Sequence, residues 1–260
     1  MNNMLKTKRI KQIQDYVFEH QTVSLDELVT VFKVSKNTIR RDVQELVDRG
    51  ELKKVYGGVA VNNSTLVSFT ERQVQNKSEK ELIGRTAASF VDNGDIIFID
   101  SGTTTLEMME YVKHKQLTII TNNLDFIIRA LPYENLNIIT LGGLLQRNTK
   151  SFASVKSTDI IKEYNINKAF MASTGISISN GVTNSSPLES EIKKNVVDRS
   201  SQIFLLTDHK KFEKYALMTY CRLEEVDYIV TDLPPNNEYK EFAQENNIEI
   251  VVANPENIAK

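Results

Sequence analysis

Apolar residues recur along this chain at two different periods, and the change of period divides it. Between Lys6 and His20 they stand at Ile10, Ile13, Tyr16, Val17 and Phe18, close to helical spacing. Ser24 followed by Glu27 is a capping-box signature, and Leu25, Leu28, Val29 and Phe32 supply the apolar stripe of a short second helix. Lys33-Val34-Ser35 is a tight connection whose serine suits the N-cap of a third helix, with Ile39, Val43, Leu46 and Val47 inward and Gly50 as its stop. Two β-rich runs then flank Gly57-Gly58 and predict a hairpin. Three helices and a hairpin make a winged helix-turn-helix over residues 1–61. Residues 62–77 are polar and without strong period, which predicts a hinge or extended connector, with Leu66 and Phe69 available to dock on the body of the chain.

From residue 78 to 260 helical stripes alternate with short apolar runs. Residues 79–91 predict a helix, and Ile96-Ile97-Phe98-Ile99 is continuous, as in a strand buried on both faces. Further strands are predicted over 117–121, 137–141, 169–172, 203–207, 228–231 and 248–252, with helices over 103–112, 124–131, 155–164, 188–197 and 238–246. Repeated β-α units with short turns predict a doubly wound α/β sheet.

Composition narrows the reading. The chain has 260 residues, 40% hydrophobic and 25% charged, enough for two folded domains and unlike a disordered chain. No apolar run approaches the roughly 18–20 residues of a membrane helix, and no apolar stretch follows the basic N-terminus, so a cytoplasmic protein is expected. The single cysteine, Cys221, rules out an intramolecular disulfide and any CxxC motif. His20, His114 and His209 are widely separated, so neither a metal nor a cofactor is expected. Residues 1–61 hold 11 Lys+Arg against 8 Asp+Glu, while the remaining 199 hold 21 against 26. A basic head on an acidic body suggests that the head meets a polyanion.

The third helix makes that suggestion specific. Its outward positions are Lys36, Asn37, Thr38, Arg40 and Arg41, types that hydrogen-bond base edges and phosphates and that cluster where a recognition helix enters the major groove. Lys53, Lys54 and Tyr56 on the hairpin are placed for phosphates or the minor groove. Asp42 is expected to pair locally with an arginine or the nearby backbone.

In the body, ligands of a doubly wound sheet bind at the carboxyl ends of its strands. Asp100-Ser101-Gly102-Thr103-Thr104-Thr105 joins a strand to a helix start, where hydroxyls, amides and the helix dipole favour a phosphate and Gly102 permits a close approach. Thr121-Asn122-Asn123, Gly142-Gly143, Ser173-Thr174-Gly175 and Asp208-His209-Lys210-Lys211 end four other strands, with Lys210 as the expected cation. Donors converging on one rim favour a phosphorylated small molecule. Glu189 and Glu191 are the carboxylates available as a base, but a solvated helix face is the expectation for both.

The string Val34-Ser35-Lys36-Asn37-Thr38-Ile39-Arg40-Arg41-Asp42, with Gly50-Glu51-Leu52 and Tyr56-Gly57-Gly58, resembles the DNA-binding head of DeoR-type bacterial transcriptional regulators. The resemblance implies Ser35, Lys36, Asn37, Thr38, Arg40 and Arg41 as DNA-contact residues. It extends through Asp100–Thr105, Thr121–Asn123, Gly142-Gly143 and Asp208–Lys210 to the family's sensor domain, similar in fold to sugar-phosphate isomerases. It implies a sugar-phosphate effector, with Ser101 to Thr105 around the phosphate, Gly175 on the same rim and Lys210 near the ligand. Lys80 also matches a family position. The segments 35–38, 55–59, 98–105 and 164–171 look most like the branch that represses myo-inositol catabolism, which implies a phosphorylated sugar-acid inducer.

Three functions compete. The first is a repressor of a sugar or polyol operon relieved by a sugar phosphate. The second is an isomerase-like enzyme with an appended DNA-binding head; the isomerases carry an acidic loop where this chain has Ser173-Thr174-Gly175-Ile176, so catalysis is expected to be lost. The third is a body that serves only for dimerisation. One head makes few contacts, so pairing in a homodimer or homotetramer on a two-fold operator is expected.

Overall fold

The computed structural model describes residues 6–20, 22–48, 52–61 and 69–254, and the chain divides between Leu66 and Val67 into two compact units. Gly50, Leu66 and most of the expected connector lie outside the described residues.

The first unit comprises α1 (Lys6–His20), β1 (Thr22–Ser24), α2 (Leu25–Phe32), α3 (Lys36–Asp48), β2 (Leu52–Val55) and β3 (Gly58–Val61). Ile10, Ile13, Val17, Leu28, Ile39, Val43, Leu46, Leu52 and Val59 bury against one another, whereas Phe18 is turned to solvent. Ser24 caps α2 by accepting from the Glu27 amide at 3.1 Å, and Ser35 caps α3 through the Thr38 amide at 3.2 Å. Between them Lys33 takes a left-handed φ of 51° and donates its amide to the Val29 carbonyl, which makes the turn tight. Expected only as a helix-start signal, Val23-Ser24 also forms a strand, and the wing is a three-stranded antiparallel sheet ordered β1-β3-β2. Gly58 is required there, because a Cβ would lie 2.2 Å from the Val23 carbonyl oxygen.

The second unit begins with α4 (Phe69–Val74), so the structure replaces part of the expected connector with a helix. There follow α5 (Lys77–Ala88), β4 (Ile96–Ile99), a 3-10 turn (Thr105–Met108) running into α6 (Met109–Val112), β5 (Leu117–Thr121), α7 (Leu124–Ala130) and β6 (Leu136–Thr140). A hairpin of β7 (Leu144–Gln146) and β8 (Ser151–Ala153) leads to α8 (Val155–Ile161), β9 (Ile166–Ala172), β10 (Gly175–Ser177), β11 (Gly181–Asn184) and α9 (Pro187–Asp198). The chain ends with β12 (Ser200–Leu206), β13 (Met218–Cys221), β14 (Tyr228–Thr231), α10 (Asn237–Glu245) and β15 (Glu249–Val252).

Seven strands form one parallel sheet in the order β15-β14-β12-β9-β4-β5-β6, the doubly wound arrangement expected. Strand alternation sends Ile97, Ile99, Phe170, Phe204 and Leu206 into one core layer and Phe98, Met171, Ile203 and Leu205 into the other. The hairpin and the small antiparallel sheet β10-β11-β13 were not expected, since strands of three or four residues carry too little alternation to register.

Candidate functional site

In the first unit the candidate DNA contacts divide by what they already touch. Lys36, Asn37, Arg40 and Arg41 are exposed on α3, with Arg40, Arg41, Gln44 and Glu45 lining a shallow concavity. The Ser35 hydroxyl lies 2.9 Å from that of Thr38, so these two side chains serve the helix cap first. Lys36 bonds Asp26 at the surface. Lys53 and Lys54 are exposed on β2, and Tyr56 at the hairpin tip is fully exposed. Asp42 behaves differently from expectation. It is buried and paired with Arg9 of α1, 33 residues away, at 2.6 Å and 3.3 Å to its two oxygens. The hydrogen bond to Asp42 raises the Arg9 pKa against the cost of burial. This pair ties α3 to α1 from behind and leaves the outer face of α3 to solvent.

In the second unit the chemistry gathers at the carboxyl ends of four adjacent strands, β12, β9, β4 and β5. Asp100, directly after β4, is buried; its Oδ1 accepts the Ser101 amide at 2.8 Å, and its Oδ2 accepts the Ala172 amide at 2.8 Å and the Lys193 ammonium. Lys193, on α9, also donates to the Ala172 carbonyl at 2.9 Å and stands over the Tyr220 ring. Asp100 therefore anchors a cation rather than offering lone pairs to a ligand. Past β12, Lys211 donates to the Ser173 carbonyl at 2.7 Å, which brings the β9 and β12 ends together. Part of the residue meets solvent, but its ammonium is enclosed, and burial lowers its pKa to about 8. Asp208 opposes that shift, whereas Lys80, Arg72 and Lys193 add to it, so Lys211 lies in the field of three other cations.

Some buried polar groups in this region have no partner within the chain. Among the described residues, six buried side-chain atoms have no hydrogen-bond partner: the hydroxyls of Thr86, Thr104, Ser173, Ser190 and Thr207, and Asn122 Oδ1. Thr104, Asn122, Ser173 and Thr207 lie in the segments leaving β4, β5, β9 and β12, and Ser190 precedes Lys193 by one turn of α9. An unsatisfied buried polar group costs about 1–3 kcal/mol, so these five would gain from further donors or acceptors.

The other expected ligand residues are mostly committed to the frame. The Thr105 hydroxyl donates to the Asp100 carbonyl at 2.8 Å, and that of Thr121 donates to Ile99 at 2.6 Å. Asn123 caps α7 by accepting the Phe126 amide at 3.1 Å. Gly102 serves packing rather than a ligand's approach, since a Cβ there would lie 2.3 Å from that of Ala172. Gly143 abuts the Ala153 backbone and Gly175 that of Lys214, while Gly142 turns with φ of 64° and its carbonyl accepts from Ser157. Ser101 and Thr103 are buried on the rim. The expected long helix after Thr103 is a 3-10 turn plus a single α turn, so the dipole argument for an anion there weakens. Lys210 is exposed and bonds Asn76 at 2.6 Å; its neighbour Lys211 is the one that turns inward.

Sequence reasoning missed Arg72 and Lys193, placed Lys211 on the rim but chose Lys210 as its cation, and misjudged Glu189. Glu191 is exposed as expected, but Glu189 is buried and accepts from the Ser151 hydroxyl and from Asn184 Nδ2 at 3.2 Å. Glu189 and Lys193 are four apart on α9, a spacing that places them on one helix face; the available signal was that both fall on the apolar face of Ile192 and Val196.

Comparison with known proteins agrees with this division. The DeoR-like helix-turn-helix domain matches residues 9–65, and the DeoR C terminal sensor domain matches residues 75–233. The HTH-type transcriptional regulator IolR of Bacillus subtilis (strain 168) is 42% identical over 251 residues, covering 96% of this chain and 100% of the relative. The HTH-type transcriptional repressor GlcR of the same organism is 26% identical, covering 96% of this chain and 97% of the relative. The Glycerol-3-phosphate regulon repressor of Escherichia coli (strain K12) is 30% identical, covering 89% and 93%. Among solved structures, ribose 5-phosphate isomerase A from Methanocaldococcus jannaschii shows a partial likeness: 16% identity, TM-score 0.40, 53% of this chain and 55% of that one.

Proposed function

The chain belongs to the DeoR family of transcriptional regulators, and from that premise we propose that its sensor unit takes a phosphorylated sugar or sugar acid whose binding releases the winged helix from operator DNA. That it is a DNA-binding regulator rather than an enzyme follows from relatives named as regulators and repressors along nearly its whole length.

The observation that carries the effector reading is the rim itself: five unpartnered buried polar atoms among Arg72, Lys80, Lys193 and Lys211 at four adjacent strand ends. A phosphate suits the cations, and a polyol suits the orphaned hydroxyls, Asn122 Oδ1 and the Glu189 carboxylate. The Escherichia coli relative is named for a phosphorylated polyol, which fits this class. Thr104 offers the phosphate an unpartnered hydroxyl, flanked by Thr103 and by Ser101, whose hydroxyl lies 3.5 Å from Asp100 Oδ1, with Lys211 in place of Lys210 as its counter-charge. On the first unit, Lys36, Asn37, Arg40, Arg41, Lys53, Lys54 and Tyr56 form the surface offered to DNA, used in pairs by a homodimer or homotetramer in the cytoplasm.

A gel shift on the DNA upstream of the protein's own gene, with a panel of sugar phosphates, tests this. Retardation reversed by one phosphorylated sugar, and not by its unphosphorylated form, is the expected result. Retardation indifferent to every phosphorylated member would sink the effector reading. Thermal shift gives the same answer without DNA, since ligand at 100 times its Kd adds about 2.7 kcal/mol.

A further inference from the structure

α4 is the first element of the sensor unit, and only residues 62–68 separate it from β3 in the chain. Six residues make fewer than two turns, too short to hold a helical shape alone. What holds α4 is supplied by the sensor unit. Phe69 is buried in the core layer with Ile83, Ile99 and Leu106, and its amide donates to the Asn148 carbonyl at 2.7 Å. The Lys80 ammonium, itself buried, donates to the carbonyls of Arg72 and Gln75, two of the groups a helix end leaves without partners.

The side chain of Arg72 links this small helix to the pocket. Its guanidinium lies 5.6 Å from the centre of the Phe69 ring, and the charges of Glu189 on α9 and Asp100 after β4 act on it. Burial lowers its pKa, and both Lys80 and Lys211 feel its charge. The groups that hold α4 are thus among those an anionic ligand would neutralise.

We propose that α4 reports ligand occupancy: Arg72 binds an anionic group of the ligand, and that contact fixes α4, and with it the start of the chain toward the winged helix, on the sensor unit. This rests on the pocket reading above and adds a residue and a direction to it. Burial is the largest influence on Arg72 and disfavours its charge, while Glu189 and Asp100 favour it. A phosphate or carboxylate of the ligand adds a further anionic partner, and the helix is then held at Phe69, at its carbonyls and at Arg72 together.

Hydrogen–deuterium exchange on the full-length protein decides the matter, with 6-phosphogluconate as the probe and gluconate as the control without the phosphate. The expected result is that 6-phosphogluconate slows exchange over residues 70–76 by about 10-fold, within the usual range of coupling between sites, along with residues 101–105 and 207–211. In Arg72→Gln, probe raised to saturation still protects 101–105 and 207–211, but the added protection of 70–76 disappears; Arg72→Lys, which keeps a charge above Phe69, retains part of it. Wild-type protection confined to 101–105 and 207–211 would overturn the role of α4 while leaving the pocket standing. So would equal protection of 70–76 in Arg72→Gln. If 6-phosphogluconate and other sugar phosphates protect no segment, the pocket reading fails and takes this proposal with it.

Discussion

Each unit contains an ion pair between elements far apart in the chain whose carboxylate is buried, and the two pairs are set in different surroundings. In the first unit Arg9 and Asp42 join α1 to α3 across 33 residues, on the side of α3 that faces the core. The cations proposed for DNA are on the opposite, exposed side. In the sensor unit Lys193 and Asp100 join α9 to the end of β4 across 93 residues, at the rim proposed for the ligand. On the proposed reading, stability and recognition occupy two faces of one helix in the first unit, and the same atoms in the second. Substitutions should therefore separate the two properties in the head and not in the sensor.

Removing one partner of either pair tests this most severely, because the other charge is left buried; the expected loss is about 3–5 kcal/mol for Lys193→Met in the sensor unit or Arg9→Met in the head. Urea unfolding followed in each unit checks it, and losses under 1 kcal/mol would mean that water reaches the remaining carboxylate. Replacing both partners sharpens the contrast. Arg9→Met with Asp42→Leu should recover stability and DNA binding together, whereas Lys193→Met with Asp100→Leu should recover stability without ligand response.

Next in size is Arg40→Ala, expected to cost about 1–3 kcal/mol of operator affinity while the ligand-induced thermal shift is retained; a loss of both would show that the head is not separable. Thr104→Glu, which adds a carboxylate beside the cations, should abolish that thermal shift.

Lys211 predicts a smaller, graded effect. Its charged form attracts the anion, so affinity for a sugar phosphate should fall as pH rises through about 8, by at most about tenfold per pH unit. Binding should accordingly take up a proton, which calorimetry in two buffers of different ionisation enthalpy detects. The sign for stability is opposite: between its folded and unfolded pKa values the unfolded chain holds more protons, so this lysine's contribution to stability rises with pH. Affinity that stays flat from pH 7 to 9 would remove Lys211 from the pocket.

The smallest change is Thr104→Val. Its hydroxyl has no partner, so stability should move by less than about 1 kcal/mol, while ligand affinity drops; a destabilised but fully responsive variant would reverse the assignment.

The head was legible nearly residue by residue. α1 and the caps Ser24 and Ser35 follow from spacing and local hydrogen bonding, which operate within four residues. β1 was not, because three residues acquire strand character only from their partner β3. In the sensor unit the parallel strands announced themselves as apolar runs, and β5 and β14 agree to the residue. The rim was legible as a place but not as a set of groups. Thr105, Thr121 and Asn123 read as ligand donors and are spent on neighbouring backbone, while Lys193 reads as one charge on an amphipathic helix and is buried against Asp100.

What the amino-acid order determined alone was the family, the two units, the period of each major element and the outward cations of α3, since these depend on patterns within a few turns of chain. Only the tertiary structure decided which polar groups remain unsatisfied. Whether a hydroxyl is spent or waiting, whether Lys210 or Lys211 turns inward, and whether α4 is connector or anchor depend on partners far away in the chain. A sequence states what each residue has to offer, and burial decides which offers are still open.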